Sequence, residues 1–247
     1  MNQPGLNHIQ EFKDLLQNYH MSERAQQALE GLQLVLLVAA TSTGRNTVIK
    51  ELVESFGYHF VVSDTTRPPQ FRDGKMEENG VNYFFRTEEG MLEDIRAGEF
   101  FEAEVIHNQQ VSGMSIRELE RAKNLNKIAI TDVDIGGINN ALKVKPDLKA
   151  IFLLPPSFDE WQNRLTGRGR MTEHEIRNRL RTAETIFNTG LHNANQYNFV
   201  IAEDVKHSAA VIDGIVHGKM NPYQGRAAGL IHELQGRLQQ KLASNPV

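Results

Sequence analysis

The chain is predicted to fold as an α/β protein, with a parallel sheet covered by helices on both faces. Three observations carry this. Segments of strand character alternate with segments of helical periodicity along most of the 247 residues. One continuous apolar run, LQLVLLVAA at 32–40, reads as a buried strand and is followed at once by a small-residue loop and a helix. Both ends carry amphipathic stripes at helical spacing, which need an apolar surface to cover them.

Taken in order, residues 7–20 place Ile9, Phe12, Leu15, Leu16 and Tyr19 on one helical face. Ser22 before ERAQQALEGL reads as the cap of a second helix. The buried strand, the loop TSTGRN and the helix TVIKELVESF form the strand–loop–helix that opens a P-loop unit. Further strands are expected at YHFVVS, NYFF, FFEAEVIH, KIAITDVD, LKAIFLLPP and YNFVIAED. Helices are expected at EEGMLEDIRAG, SIRELERAKN, SFDEWQNRL, TEHEIRNRLRTAETIFNTG and SAAVIDGIVHG. Thr172 and Glu175 have the spacing of a capping box. After Asn221-Pro222, Leu230, Ile231, Leu234, Leu238 and Leu242 make a last helical stripe. The end stripes suit packing onto the chain's own core, and secondarily a homo-oligomer.

Composition narrows the classes. A net charge of -4 lacks the basic excess of a bulk nucleic-acid binder. With no Cys there are no disulfides or thiolate metal sites. The nine His are scattered without a metal-ligand spacing. The start lacks a basic segment followed by an apolar stretch, and the longest strongly apolar run, near Leu34–Ala40, is too short to span a membrane. A cytoplasmic protein is the expectation.

A standard P-loop reads G-x-x-x-x-G-K-[ST]; its backbone N–H groups cradle phosphates, its Lys reaches them, and its hydroxyl binds Mg²⁺. Here the stretch is Ala39-Ala40-Thr41-Ser42-Thr43-Gly44-Arg45-Asn46-Thr47. Only Gly44 stands in its usual place. Ala39 takes the first Gly position, Arg45 the Lys position and Asn46 the metal-ligand position. Arg45 keeps the charge and can fork onto phosphate. Asn46 offers a carbonyl oxygen to Mg²⁺ or a bridging water. An ordinary strand-to-helix turn is the plainer reading of this loop taken alone.

Downstream, VVSDTTRPPQFRDGKMEENGVNYFF resembles the guanylate-kinase segment Ser-x-Thr-Thr-Arg-x-Pro followed by Glu-x-Gly-x-x-Tyr-x-Phe. AGEFFEAEVIH resembles that family's Gly-Glu-Phe-x-Glu stretch, and TDVDIGG its Asp-x-Asp-x-x-Gly strand end. LLPPS and RLTGRGRMTEHEIRNRL resemble its Pro-Pro-Ser segment and its Arg-rich lid. Order and spacing agree across 33–217. The resemblance implies a P-loop NTPase-type domain at 33–217, with a small GMP-binding part at about 63–115 and a lid at about 164–180. Helical extensions flank it at 1–32 and 218–247.

The resemblance also implies ATP-dependent phosphorylation of GMP to GDP with Mg²⁺. Arg67 and Tyr83 would hold the GMP phosphate, Arg67 bidentately. Ser63, Glu102 and Asp134 would read the guanine, whose adjacent N1–H and N2 amino group match an acceptor-only carboxylate. Asp132 would lie near Mg²⁺, as would Asn46. Arg45, Arg164, Arg168 and Arg179 would carry charge on the transferring phosphoryl group. Read singly, each has a plainer account. Arg67 is a solvated turn residue, Glu102 an outward-facing strand residue, and Asp132 and Asp134 make hydrogen bonds at a strand end. The lid arginines form a helix face paired with Glu173 and Glu175.

Several positions depart from the family pattern. Gln70 stands where a second phosphate-binding Arg is usual, Ser112-Gly113-Met114-Ser115 where Tyr-Gly-Thr-Ser is usual, and Glu203-Asp204 where Asn-Asp is usual near the adenine. These changes also suit a catalytically weak or inactive module that binds nucleotide or a phosphorylated protein segment.

Overall fold

The computed structural model describes residues 5–72, 74–167 and 171–244, in two compact units. The second comprises Leu34–Tyr58, Ile130–Asn139 and Asp147–Val247. Its strands stand in the order Asn198–Ile201, Lys149–Leu154, Leu34–Ala39, Ala129–Asp132. The first three pair in parallel, with Val38 opposite Phe152 and Phe152 opposite Phe199. All six residues of Leu34–Ala39 are buried, which is why that strand shows no alternation. The expected helices appear as Arg45–Phe56, Phe158–Thr166, Glu173–His192 and Val205–Val216. Their starts follow local capping chemistry. Ser157 and Asp204 accept hydrogen bonds from backbone N–H groups of their first turns, and Thr172 and Glu175 form the reciprocal capping box. Gly190 lets its helix press on the sheet; a Cβ there would lie 2.6 Å from the Phe152 ring. The last helix, Gln224–Ser244, buries Ile231, Leu234 and Leu238 within this unit and packs on Glu173–His192. Leu230 and Leu242, at the margins of the same stripe, stay part-exposed.

One helix of this region, Ile135–Val144, lies outside the sequence expectation. Its Gly and Asn content hides a helix whose first turn is held by Asp134 Oδ1, which accepts from Gly137 N–H at 2.8 Å.

The first unit comprises Met1–Gln33, His59–Ala129 and Asn140–Pro146. The parallel sheet expected from the sequence stands in the second unit, and the first unit carries a mostly antiparallel one of its own. A four-stranded sheet in this unit runs Phe84–Phe85, Asp64–Thr65, Gln110–Ser115, Phe100–Ile106. Only the first pairing is parallel. The physical reason is a tight turn: His107 and Asn108 take φ of 51° and 57°, the primed-turn geometry that joins antiparallel strands. The strand Gln110–Ser115 was therefore not foreseen, because its sequence was read as a binding stretch. The strands expected at YHFVVS and NYFF shrink to His59–Phe60 and Phe84–Phe85.

The helix Ile9–Gln17 buries Phe12 against Met91, Ile95, Phe100 and Val111. Beyond it, the Tyr19 hydroxyl donates to Phe100 C=O at 2.6 Å and accepts from Phe100 N–H at 2.8 Å. Burial pushes this phenol up to about 12. Between Phe100 and Glu102 the register with Gln110–Ser115 shifts, forming a bulge.

Candidate active site

The loop after Leu34–Ala39 is built for an anion. Gly44 has φ 108° and Ser42 φ 65°, and alternating left-handed backbone of this kind turns successive N–H groups toward one point. Ala39 remains in ordinary strand conformation, so its position does not require Gly. Ser42 and Thr43 are buried, and their hydroxyl oxygens find no hydrogen-bond partner among the described residues. Buried polar atoms are normally paired, so this pair of orphans marks a place for an external ligand. The helix Arg45–Phe56 begins here and adds its N-terminal dipole. Ser42 carries the cost of a left-handed non-glycine residue. Ser42→Gly is expected to raise stability by about 1 kcal/mol in urea unfolding, since it removes both that strain and an unpaired hydroxyl.

Two arginines anticipated from sequence reach this loop. Arg164 Nη1 donates to Thr43 C=O at 3.1 Å and Nη2 to Ala202 C=O at 3.4 Å. Arg179 Nη1 donates to Thr41 Oγ1 at 3.4 Å. Trp161 Nε1 braces the same turn through Thr41 C=O at 2.8 Å. Together Ser42–Gly44, Arg164 and Ala202–Asp204 wall a cleft of about 420 Å³. Arg168 lies outside the described residues.

Arg45 does not point a free charge into that cleft. Its Nη2 lies 2.6 Å from Asp132 Oδ2, so the residue in the Lys position neutralises the strand-end Asp. Asn46 and Thr47 are exposed on the helix start. Asp134 is exposed beside Arg45 in a second groove, lined also by Thr182 and Thr185, while its Oδ1 caps the following helix. The plain strand-end reading of Asp134 is therefore physically present.

Four of the residues expected to hold GMP, Ser63, Arg67, Tyr83 and Glu102, belong to the first unit. Arg67 is 5% exposed, which overturns the solvated-turn reading. Its Nη1 and Nη2 donate to Glu77 Oε2 and Oε1 at 2.5 and 2.8 Å, and its guanidinium stacks 4.6 Å from the Tyr83 ring centroid. The bidentate fork that was assigned to a phosphate is thus closed on Glu77. The Arg67 guanidinium is a paired cation, not a bare one. Ser63 and Arg67 flank the strand Asp64–Thr65, which is pinned by fully buried Asp64. That carboxylate accepts from Arg86 at 2.9 Å and Arg117 at 2.8 Å. Burial pushes the Asp64 carboxyl up despite both guanidinium partners. Glu102 is half-buried immediately after the bulge, the kind of irregularity that re-aims a side chain. Gly113 makes the close approach possible, since a Cβ there would lie 2.5 Å from the Glu102 carbonyl. Ser112 is already bonded to Thr65 Oγ1 at 2.8 Å.

Sequence reading missed Glu77, Asp64 and its two arginines. Glu77 had no signal, because the Glu of the quoted Glu-x-Gly pattern falls on Glu78; the Asp64 cluster had none either, because its partners lie 22 and 53 residues away.

Residues 31–212 match the family model described as guanylate kinase. A guanylate kinase of Corynebacterium diphtheriae is 36% identical over 189 residues, covering 76% of this chain and 95% of that protein. One from Sus scrofa is 37% identical over 153 residues, 61% of this chain and 74% of its own. Among solved structures, a guanylate kinase from Anaplasma phagocytophilum superposes with a TM-score of 0.54 at 24% identity, over 76% of this chain and 85% of the other. That likeness concerns the fold.

Proposed function

Because the chain belongs to the guanylate kinase family, we propose that the two clusters described above are the working parts of its reaction. The reaction is ATP-dependent phosphorylation of GMP to GDP. A GMP phosphate oxygen forms a bond to the γ-phosphorus of ATP while the bond to the β-γ bridging oxygen breaks, releasing ADP. Catalysis of this kind is positioning and charge stabilisation. The observation that carries the assignment is the phosphate loop, with its left-handed Ser42 and Gly44 and the buried, unpartnered hydroxyls of Ser42 and Thr43.

In this reading Ser42, Thr43 and the backbone of Thr41–Thr47 cradle the ATP phosphates. Arg164 and Arg179, already tethered to that loop, supply positive charge to the transferring group. Arg45 contributes through its pair with Asp132. Ser63, Arg67, Tyr83, Glu102 and Asp134 are assigned to GMP on the strength of the family membership.

Mg²⁺ belongs to the same proposal. Asn46 and Asp132 offer hard oxygen donors, the type Mg²⁺ takes. Among the described residues no three His, Asp or Glu side chains gather to hold an ion alone, which suits one that arrives on the nucleotide and keeps several waters. The ion would neutralise phosphate charge there. Among the described residues no helix is long and apolar enough to cross a membrane, and a cytoplasmic location is proposed.

A coupled assay with GMP, ATP and Mg²⁺ tests the reaction. Absence of turnover with intact GMP binding would favour the binding-module reading. Glu102→Gln tests the guanine assignment. It replaces an acceptor oxygen with an N–H donor facing guanine's own donors, and is expected to raise the KM for GMP by about 10- to 100-fold while leaving that for ATP nearly unchanged. Equal effects on both substrates would remove Glu102 from the GMP site.

A further inference from the structure

The segment after Gly218 lies beyond the family match, yet its side chains act on the wall of the cleft. The strand Asn198–Ile201 is at the edge of the second unit's sheet. That edge is occupied by two amides. Phe199 N–H donates to Gln224 Oε1 at 3.1 Å, Asn221 Nδ2 donates to Phe199 C=O at 2.9 Å, and Gln224 Nε2 donates to Tyr197 C=O at 3.1 Å. The segment is thereby locked in register with the strand, which runs on into Ala202, Glu203 and Asp204 at the cleft.

At that point the same segment delivers Tyr223 and Arg226. The Tyr223 hydroxyl donates to Glu203 Oε2 at 3.4 Å, and Arg226 Nη2 lies 3.6 Å from Glu203 Oε1. Tyr223 is 4% exposed, so its ring is fixed by packing. Burial first, and then Glu203, push its phenol up, so it remains a donor. Asp204 is spent on capping the helix Val205–Val216, where it accepts from His207 N–H at 2.8 Å. Glu203 is therefore the carboxylate of this wall whose aim is set from the C-terminal segment.

We propose that Tyr223 and Arg226 are positioning residues for the phosphate donor, holding Glu203 so that its carboxylate accepts a hydrogen bond from the 6-amino group of adenine. The proposal rests on reading the cleft as the ATP site. With the phosphates at Ser42–Gly44, the base extends toward Ala202–Asp204 along the same cleft. A carboxylate is acceptor-only, so it favours an amino group and disfavours the 6-oxo group of inosine. One tyrosine and one arginine, each on a different oxygen, fix the plane of the carboxylate without filling all its lone pairs.

The test is calorimetric titration of the full chain with ATP, ITP and GMP, for the parent protein and for Tyr223→Phe, Arg226→Gln and Arg164→Ala. Tyr223→Phe keeps the packed ring, and Arg226 is largely exposed, so both variants fold. Each is expected to raise the Kd for ATP about three- to tenfold, to narrow the ATP/ITP preference by a similar factor, and to leave GMP unchanged. If Arg164→Ala weakens ATP while the other two change neither ATP affinity nor the ATP/ITP ratio, the positioning role is wrong and the cleft assignment stands. If Arg164→Ala also leaves ATP binding intact, the cleft is not the donor site and both fall. Equal losses for ATP, ITP and GMP would mark a purely structural contact and overturn the proposal.

Discussion

Arg164→Ala is expected to lower kcat/KM for GMP phosphorylation by about 10²- to 10³-fold, the usual effect of deleting one preorganised charge donor from a phosphoryl-transfer site. The geometry supports so large a value. Arg164 leaves the helix Phe158–Thr166 and spans from Thr43 C=O to Ala202 C=O, with Nε held by Glu160 at 3.0 Å. All three nitrogens are oriented before substrate arrives, so little ordering remains at the moment of transfer. The same variant should melt close to the parent. Its ion pair with Glu160 is a part-exposed i,i+4 contact, worth a few tenths of a kcal/mol at most. Steady-state kinetics beside a thermal melt check both halves. A drop under fivefold would remove Arg164 from the transferring machinery. A large loss of stability would turn the kinetic effect into an unfolding effect. Arg164→Lys should recover only part of the rate, because an ammonium cannot bridge two carbonyls in the same plane.

Arg67→Ala is expected to destabilise the protein by about 3–5 kcal/mol, as is usual when one partner of a buried ion pair is removed. The side chains of Arg67 and Glu77 are 4% and 6% exposed. Truncation would take two charge-assisted hydrogen bonds away from the buried Glu77 carboxylate and the cation away from the Tyr83 ring. The double variant Arg67→Met/Glu77→Leu should be markedly less destabilised than Arg67→Ala, since it removes the buried carboxylate together with its guanidinium partner. Urea unfolding of the single and double variants measures this directly. If the double variant is no more stable than the single, packing governs the site and charge pairing does not.

How much of this was legible in advance depended on the range of the interaction. The strand–loop–helix at Leu34–Phe56 and the capping box of Thr172 and Glu175 are local patterns, and both stand where the residues indicated. The helix Ile135–Val144 was hidden because Gly136, Gly137 and Asn140 speak against a helix, while buried Ile138 and Ala141 and the Asp134 cap outweigh them. The antiparallel Gln110–Ser115 was hidden because the three-residue connection 107–109, with positive φ at His107 and Asn108, lacks the usual glycine. In the site, residue types were readable but partners were not. Arg45 meets Asp132, 87 positions on, and Arg164 meets Thr43, 121 positions back. No periodicity links such pairs. The left-handed turn at Ser42 was unreadable for the same reason: a serine there is compatible with many backbones, and only the packed loop selects this one.

The Tyr19 phenol serves both backbone groups of Phe100, and it lies outside the span 31–212 that matches the family. So do the Asn221 and Gln224 amides that complete the strand Asn198–Ile201. Trimming this chain to its recognisable kinase portion would therefore strip one sheet of its brace and the other of its border. For anyone preparing a shortened version, the smallest sound unit is larger than the homology suggests, and its ends are structural members and not spare length.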